Sequence, residues 1–152
     1  MKLLITGATG GIGRRIIDLA KNNYKINFLT TTKNKLNSIK YAKGFFWDPK
    51  KNFIDKKCFD GVDSIIHLSG EKISKIWTNK TKTKLYDSRI LTTKFLYNSV
   101  RDLKLGHKIK SFICASAIGI YKSDSEIIHF EKDKITPSNY LENLVFDWER
   151  SS

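Results

Sequence analysis

This chain predicts an α/β fold, a doubly wound parallel sheet of about five strands in the order 3-2-1-4-5 with helices on both faces. Three observations carry that prediction. Short apolar runs alternate with segments of helical periodicity from one end to the other. The run around Ile65-Ile66 is apolar without alternation, as in a strand covered on both faces. The first run, Leu3-Leu4-Ile5, leads straight into Gly7, Gly10 and Gly13, and a helical pattern follows at once.

Each element has a local reason. After the first strand, a helix from Gly11 to about Lys21 should lay Ile12, Ile16, Ile17 and Ala20 on the sheet. Asn22-Asn23 should stop it through a left-handed residue. Ile26-Asn27-Phe28-Leu29 reads as the second strand and Lys33 to Ile39 as a short helix. Gly44-Phe45-Phe46-Trp47 predicts a third strand, closed by Asp48-Pro49, and Asp63 to Leu68 a fourth. A long helix is expected from about Asn79 to Leu103, with Leu85, Leu91, Phe95 and Val100 inward. Phe112-Ile113-Cys114-Ala115 predicts the fifth strand, with Cys114 buried as a small hydrophobe, and Tyr140 to Arg150 the last helix.

Composition narrows the function classes. At 152 residues, 40% of them hydrophobic, the chain suits a single domain over 1–152, and no segment approaches the ~20 apolar residues of a membrane span. Cys58 and Cys114 form no metal-ligand spacing, so no metal is expected, and this cysteine usage predicts the reducing cytoplasm. The net charge of +13 raises nucleic acid as a partner. Lysines far outnumber arginines and are scattered, however, whereas a binding surface clusters them with arginine and aromatics. A lysine-rich solvated surface is the simpler reading.

Ligands of such a sheet bind at the carboxyl ends of its strands. At the first, Gly7 allows a tight exit, Gly10 admits a pyrophosphate close to the backbone, and Gly13 lets the helix pack on the sheet. Gly7, Thr9, Gly10, Gly11, Ile12 and Gly13 are therefore the candidate phosphate cradle of a Rossmann-like domain, facing a helix N-terminus. The second strand ends in Thr30-Thr31-Thr32-Lys33, where a carboxylate would select NAD; hydroxyls and Lys33 instead suit the 2′-phosphate of NADP, NAD remaining possible. Asp48 could reach an adenine amino group, or be an ordinary Asp-Pro turn residue. Leu68-Ser69-Gly70 could pass close to a cofactor ribose, and Ser116 could bond a substrate oxygen beside the nicotinamide. His67, among apolar neighbours, reads as a core residue.

These pieces resemble the extended short-chain dehydrogenase/reductase superfamily, in its atypical NAD(P)-dependent epimerase/dehydratase branch, and within it the small epimerase family proteins. The matching residues are Thr6 to Gly13, Trp47-Asp48-Pro49, Gly61-Val62-Asp63, His67 to Glu71, Trp77, Asp87 to Thr93, Ala115 to Tyr121 and Trp148-Glu149. The resemblance implies an NADP-binding enzyme of unknown small-molecule substrate, with Thr30 and Thr31, Leu68 and Ser69, Lys84 and Arg89 facing the cofactor. It also implies strands and a substrate domain beyond the last helix, so the chain is expected to be the nucleotide-binding half alone. In the superfamily a tyrosine and a lysine four residues later transfer protons. Here Tyr140 is followed by Leu144, and counting back from Glu149 gives Leu141 and Val145. Ser116, Tyr121 and Tyr140 are the remaining catalytic candidates. A nucleotide-binding remnant without catalysis, and a basic nucleic-acid-associated protein, are the alternatives.

Overall fold

The computed structural model describes residues 1–122 and 126–152. Its first strand, β1 (Lys2–Thr6), has helix α1 (Gly11–Ala20) after it, and β2 (Lys25–Thr30) and β3 (Lys43–Asp48) follow. A hairpin then returns β4 (Phe53–Ile54), before β5 (Ser64–His67). Helices α2 (Asn79–Tyr86) and α3 (Thr92–Asp102) lead to β6 (Ser111–Cys114), and α4 (Tyr140–Glu149) comes last. The sheet order is β4-β3-β2-β1-β5-β6. Its five parallel strands run in the expected order, and the sixth, β4, adds antiparallel to the outer edge of β3.

Burial on both faces holds the central strands. Leu3 and Ile5 of β1 meet Ile17 and Ala20 of α1 on one side, while Leu4 between them meets Leu96 and Val100 of α3 on the other. Because successive strand side chains alternate faces, a strand covered twice must be apolar throughout. A third cluster joins Leu85 and Ile90 to Leu144 and Trp148, seating α4 beside the end of β6.

Several expectations change. The strand count rises from five to six because Asn52, at φ 50°, turns the chain back after Pro49–Lys51 and lets Asp55 N–H reach the Phe46 carbonyl. The helix expected over Lys33 to Ile39 is one 3-10 turn, Lys33–Lys35, with none of its residues buried. The long helix is continuous as expected, over 79–102, but it widens into a π-turn at Asp87–Leu91, and Leu91 is half exposed instead of inward. Ile12 does not pack on the sheet; it projects at the exposed start of α1. Asn22 and Asn23 do not adopt the left-handed conformation; Asn23 and Tyr24 N–H close onto the Ala20 carbonyl instead. Cys114 is only half-buried, since β6 is the edge of the sheet. No helix among the described residues is long and apolar enough to cross a membrane.

Candidate nucleotide-binding site

The carboxyl ends of β1, β2, β3 and β5 open into one cleft of about 630 Å³. Gly7 makes its floor possible. At φ 68° it bends the chain out of β1, and a Cβ there would stand 2.7 Å from the Leu68 carbonyl oxygen. Gly13 lets α1 approach: a Cβ would lie 2.5 Å from the Gly7 oxygen and 2.7 Å from Ala8 Cα. The helix begins at Gly10 with no side-chain cap and no acidic residue in its first turn. Its leading N–H groups and the positive end of its dipole therefore remain available to an anion.

One wall is β2 and β3. Thr30 and Thr31 line it as expected, with Thr32, and no carboxylate stands at the end of β2. Thr30 Oγ1 accepts the Thr32 N–H at 3.2 Å, which turns the strand end. Lys33 is not in the wall; its ammonium lies over the Phe46 ring at 5.3 Å. The 3-10 turn brings Lys35 into the cleft in its place, and Lys50 joins from the turn after β3. Asp48 lines the cleft beside buried Trp47, 4.0 Å from Lys51.

The opposite wall is Leu68, Ser69, Gly70 and Glu71, faced by Lys84, Asp87, Ser88, Leu91 and Thr92. Thr6 holds this wall to the floor: its Oγ1 accepts the N–H groups of Leu68 and Ser69, each at 3.1 Å. Arg89 does not line the cleft. It lies behind Gly70, donating to the Glu71 carbonyl at 3.1 Å, and burial lowers its pKa from the ordinary guanidinium value. Of the glycine-turn residues, Gly7, Thr9 and Gly10 line the cleft, whereas Gly11, Ile12 and Gly13 do not. Arg14, at the start of α1, donates to the Thr9 carbonyl.

A family model described as NAD dependent epimerase/dehydratase family matches residues 3–142. The chain belongs to that family. Among curated relatives, an epimerase family protein of Staphylococcus aureus is 29% identical over 97% of this chain and 48% of its own length. A chloroplastic epimerase family protein of Arabidopsis thaliana is 30% identical over 98% of this chain and 43% of its own. The chain thus spans about half the length of the relatives it matches. Among solved structures, a nucleoside-diphosphate sugar epimerase from Corynebacterium glutamicum is 27% identical, with a TM-score of 0.75 over 99% of this chain and 30% of that one. A human epimerase family protein solved with NADPH shares the fold at 18% identity, with a TM-score of 0.76 over 99% of this chain and 48% of its own.

In this epimerase-family chain the three catalytic candidates stay outside the cleft. The Ser116 hydroxyl donates to the Glu149 carboxylate of α4. Tyr121 stacks on His129, ring centroids 4.7 Å apart. The Tyr140 hydroxyl donates to the Lys82 carbonyl at 2.8 Å, and burial raises its pKa above the ordinary phenol value. Leu144 and Val145, the positions where the superfamily pattern would seek a lysine, are buried core. His67 is core as expected, at 0% exposure. Sequence reasoning missed Lys35, Lys50, Asp87, Ser88 and Thr92; the 3-10 turn, the hairpin and the π-turn, which leave no strong pattern, bring them to the cleft.

Proposed function

We propose that the cleft binds a nicotinamide dinucleotide, NADP(H) before NAD(H), within a single nucleotide-binding domain spanning residues 1–152. The observation that carries this reading is the uncapped N-terminus of α1 opening beside Gly7 and Gly10 onto a cleft that crosses from β3 to β5. Thr9, Gly10 and the first turn of α1, including Gly11 and Ile12, would hold the pyrophosphate. Thr30, Thr31 and Asp48 would face the adenosine half, and Leu68, Ser69, Gly70 and Lys84 the nicotinamide half. The absence of a carboxylate after β2, with Lys35 in the wall, supports NADP(H), because a 2′-phosphate needs a cation where NAD needs an acceptor. The bound nicotinamide would supply hydride exchange with a small-molecule substrate of an epimerase or oxidoreductase.

The test is titration of the protein with NADPH and NADH, followed by the emission of Trp47 at the cleft wall. NADPH should bind more tightly, and Lys35→Ala should weaken it about tenfold while leaving NADH unchanged, as expected for one lost charge-assisted contact. Failure of both nucleotides at millimolar concentration would sink the reading.

A second reading, a domain that holds the nucleotide without performing chemistry, has an observation of its own. Tyr140 is engaged by a backbone carbonyl, has no lysine four residues on, and its pKa moves away from neutrality, opposite to what proton transfer needs. Hydride exchange between NADPH and any added carbonyl compound, by the protein alone, would overturn it. Of the lysines from Lys72 to Lys84, Lys75 pairs with Glu71, Lys82 lies over the Tyr140 ring and Lys84 lines the cleft.

A further inference from the structure

Resting on the dinucleotide reading above, we propose that Arg89 is a positioning residue for the nicotinamide-side wall of the cleft, acting through the backbone of Gly70 and Glu71. Two neighbouring side chains of the π-turn grip one residue of that wall. Ser88 Oγ accepts the Glu71 N–H at 2.9 Å, and Arg89 Nη2 donates to the Glu71 carbonyl at 3.1 Å. In a regular helix adjacent side chains diverge by about 100°, and the wider turn at Asp87–Leu91 reduces that divergence. Ser88 Oγ also donates to the Leu85 carbonyl, so the hydroxyl is fixed at both ends.

The guanidinium is held between two layers. On one side is the backbone of Gly70, where a Cβ would stand 3.3 Å from Arg89 Cζ and 3.5 Å from Nη2. On the other is the indole of Trp148 near the end of α4, itself 6% exposed, 5.2 Å from Cζ to the ring centre. Its hydrogen bonds run to the carbonyls of Glu71 and Leu85 and to the Ser88 hydroxyl. Gly70 and Glu71 line the cleft and Arg89 does not, so whatever Arg89 does for a ligand passes through their backbone. β5 lies on the opposite side of β1 from β2 and β3. With the adenosine half against Thr30, Thr31 and Asp48, the segment that Arg89 holds meets the other half of the dinucleotide.

The experiment compares two ligands, NADPH and adenosine 2′,5′-bisphosphate, on the wild-type protein and on Arg89→Met, Arg89→Lys and Gly70→Ala. Arg89→Met should weaken NADPH about tenfold, through loss of the preorganised wall, and leave the adenosine bisphosphate unchanged. Arg89→Lys should recover part of that loss, because an ammonium keeps the charge and can still donate to a carbonyl, without the planar fork. Gly70→Ala keeps the Arg89 side chain but crowds its guanidinium against the wall, and should give the same split between ligands. A merely structural role would lower thermal stability and weaken both ligands alike, and that result, or an unchanged NADPH affinity in the folded variants, would overturn the proposal. A wild-type protein that takes up neither ligand would overturn the dinucleotide reading itself.

Discussion

The Thr6 hydroxyl already accepts two backbone N–H groups, from Leu68 and Ser69, so its own proton points to His67 Nδ1, 2.7 Å away. That fixes the imidazole as the Nε2–H tautomer, and Nε2 is buried with no hydrogen-bond partner among the described residues. Burial pushes the pKa of His67 down from 6.5 to about 4. The unfolded chain therefore takes up a proton near its ordinary pKa that the folded chain refuses until about pH 4. Stability is full above about pH 6.5, declines as the pH falls, and by about pH 4 has dropped by something on the order of 3 kcal/mol. Urea unfolding near neutrality and near about pH 5 should show this loss, and His67→Phe should flatten it. An equal pH slope in that variant would assign the loss to other groups. Thr6→Val would leave three buried or half-buried partners unmatched and is expected to cost about 2 kcal/mol in the same measurement.

Helix α1 shows how differently neighbouring glycines behave. Gly13→Ala drives a methyl group into the Gly7 carbonyl and the Ala8 backbone, neither of which can yield, and should cost about 2–3 kcal/mol. Gly11→Ala meets nothing within 4 Å and should stabilise the helix by up to about 1 kcal/mol. Thermal unfolding followed by circular dichroism separates the two; a neutral Gly13→Ala would show that α1 can lift from the sheet. The glycine spacing, the parallel strand order and the core role of His67 were all legible in the sequence, because each rests on a strong local pattern. The rest had no such pattern. β4 is two residues long, too short for any periodicity, and its hairpin depends on Asn52 adopting a left-handed conformation. The π-turn inserts no unusual residue, yet it rotates Leu91 out of the core and turns Arg89 behind Gly70. Lys33 and Lys35 are the same residue type two positions apart, and the 3-10 turn decides which one faces the cleft.

Across the whole molecule the two edges of the sheet differ. The β3 edge is covered by β4, whereas among the described residues β6 is the outermost strand on the other side, with Ile113 54% exposed and Ile118, just beyond, 89% exposed. An apolar edge strand is a template for pairing, and a net charge of +13 opposes that pairing through repulsion that salt screens. Sedimentation velocity should show self-association that grows with salt, and Ile113→Lys should suppress it. Association insensitive to that change would place the contact elsewhere. The sheet also carries a history. β1 is made first but lies in the middle: Lys2 pairs with Lys25, while Leu3 pairs with Ser64. A nascent chain can therefore build one flank of β1 early, but the other must wait for a loop of about 60 residues to close, a slow and entropically costly step. Until β5 docks, Leu68 cannot lie over Gly7, and Thr6 has no N–H groups to receive. The phosphate-facing turn, encoded ahead of every other described strand, gains its second wall among the later events of folding.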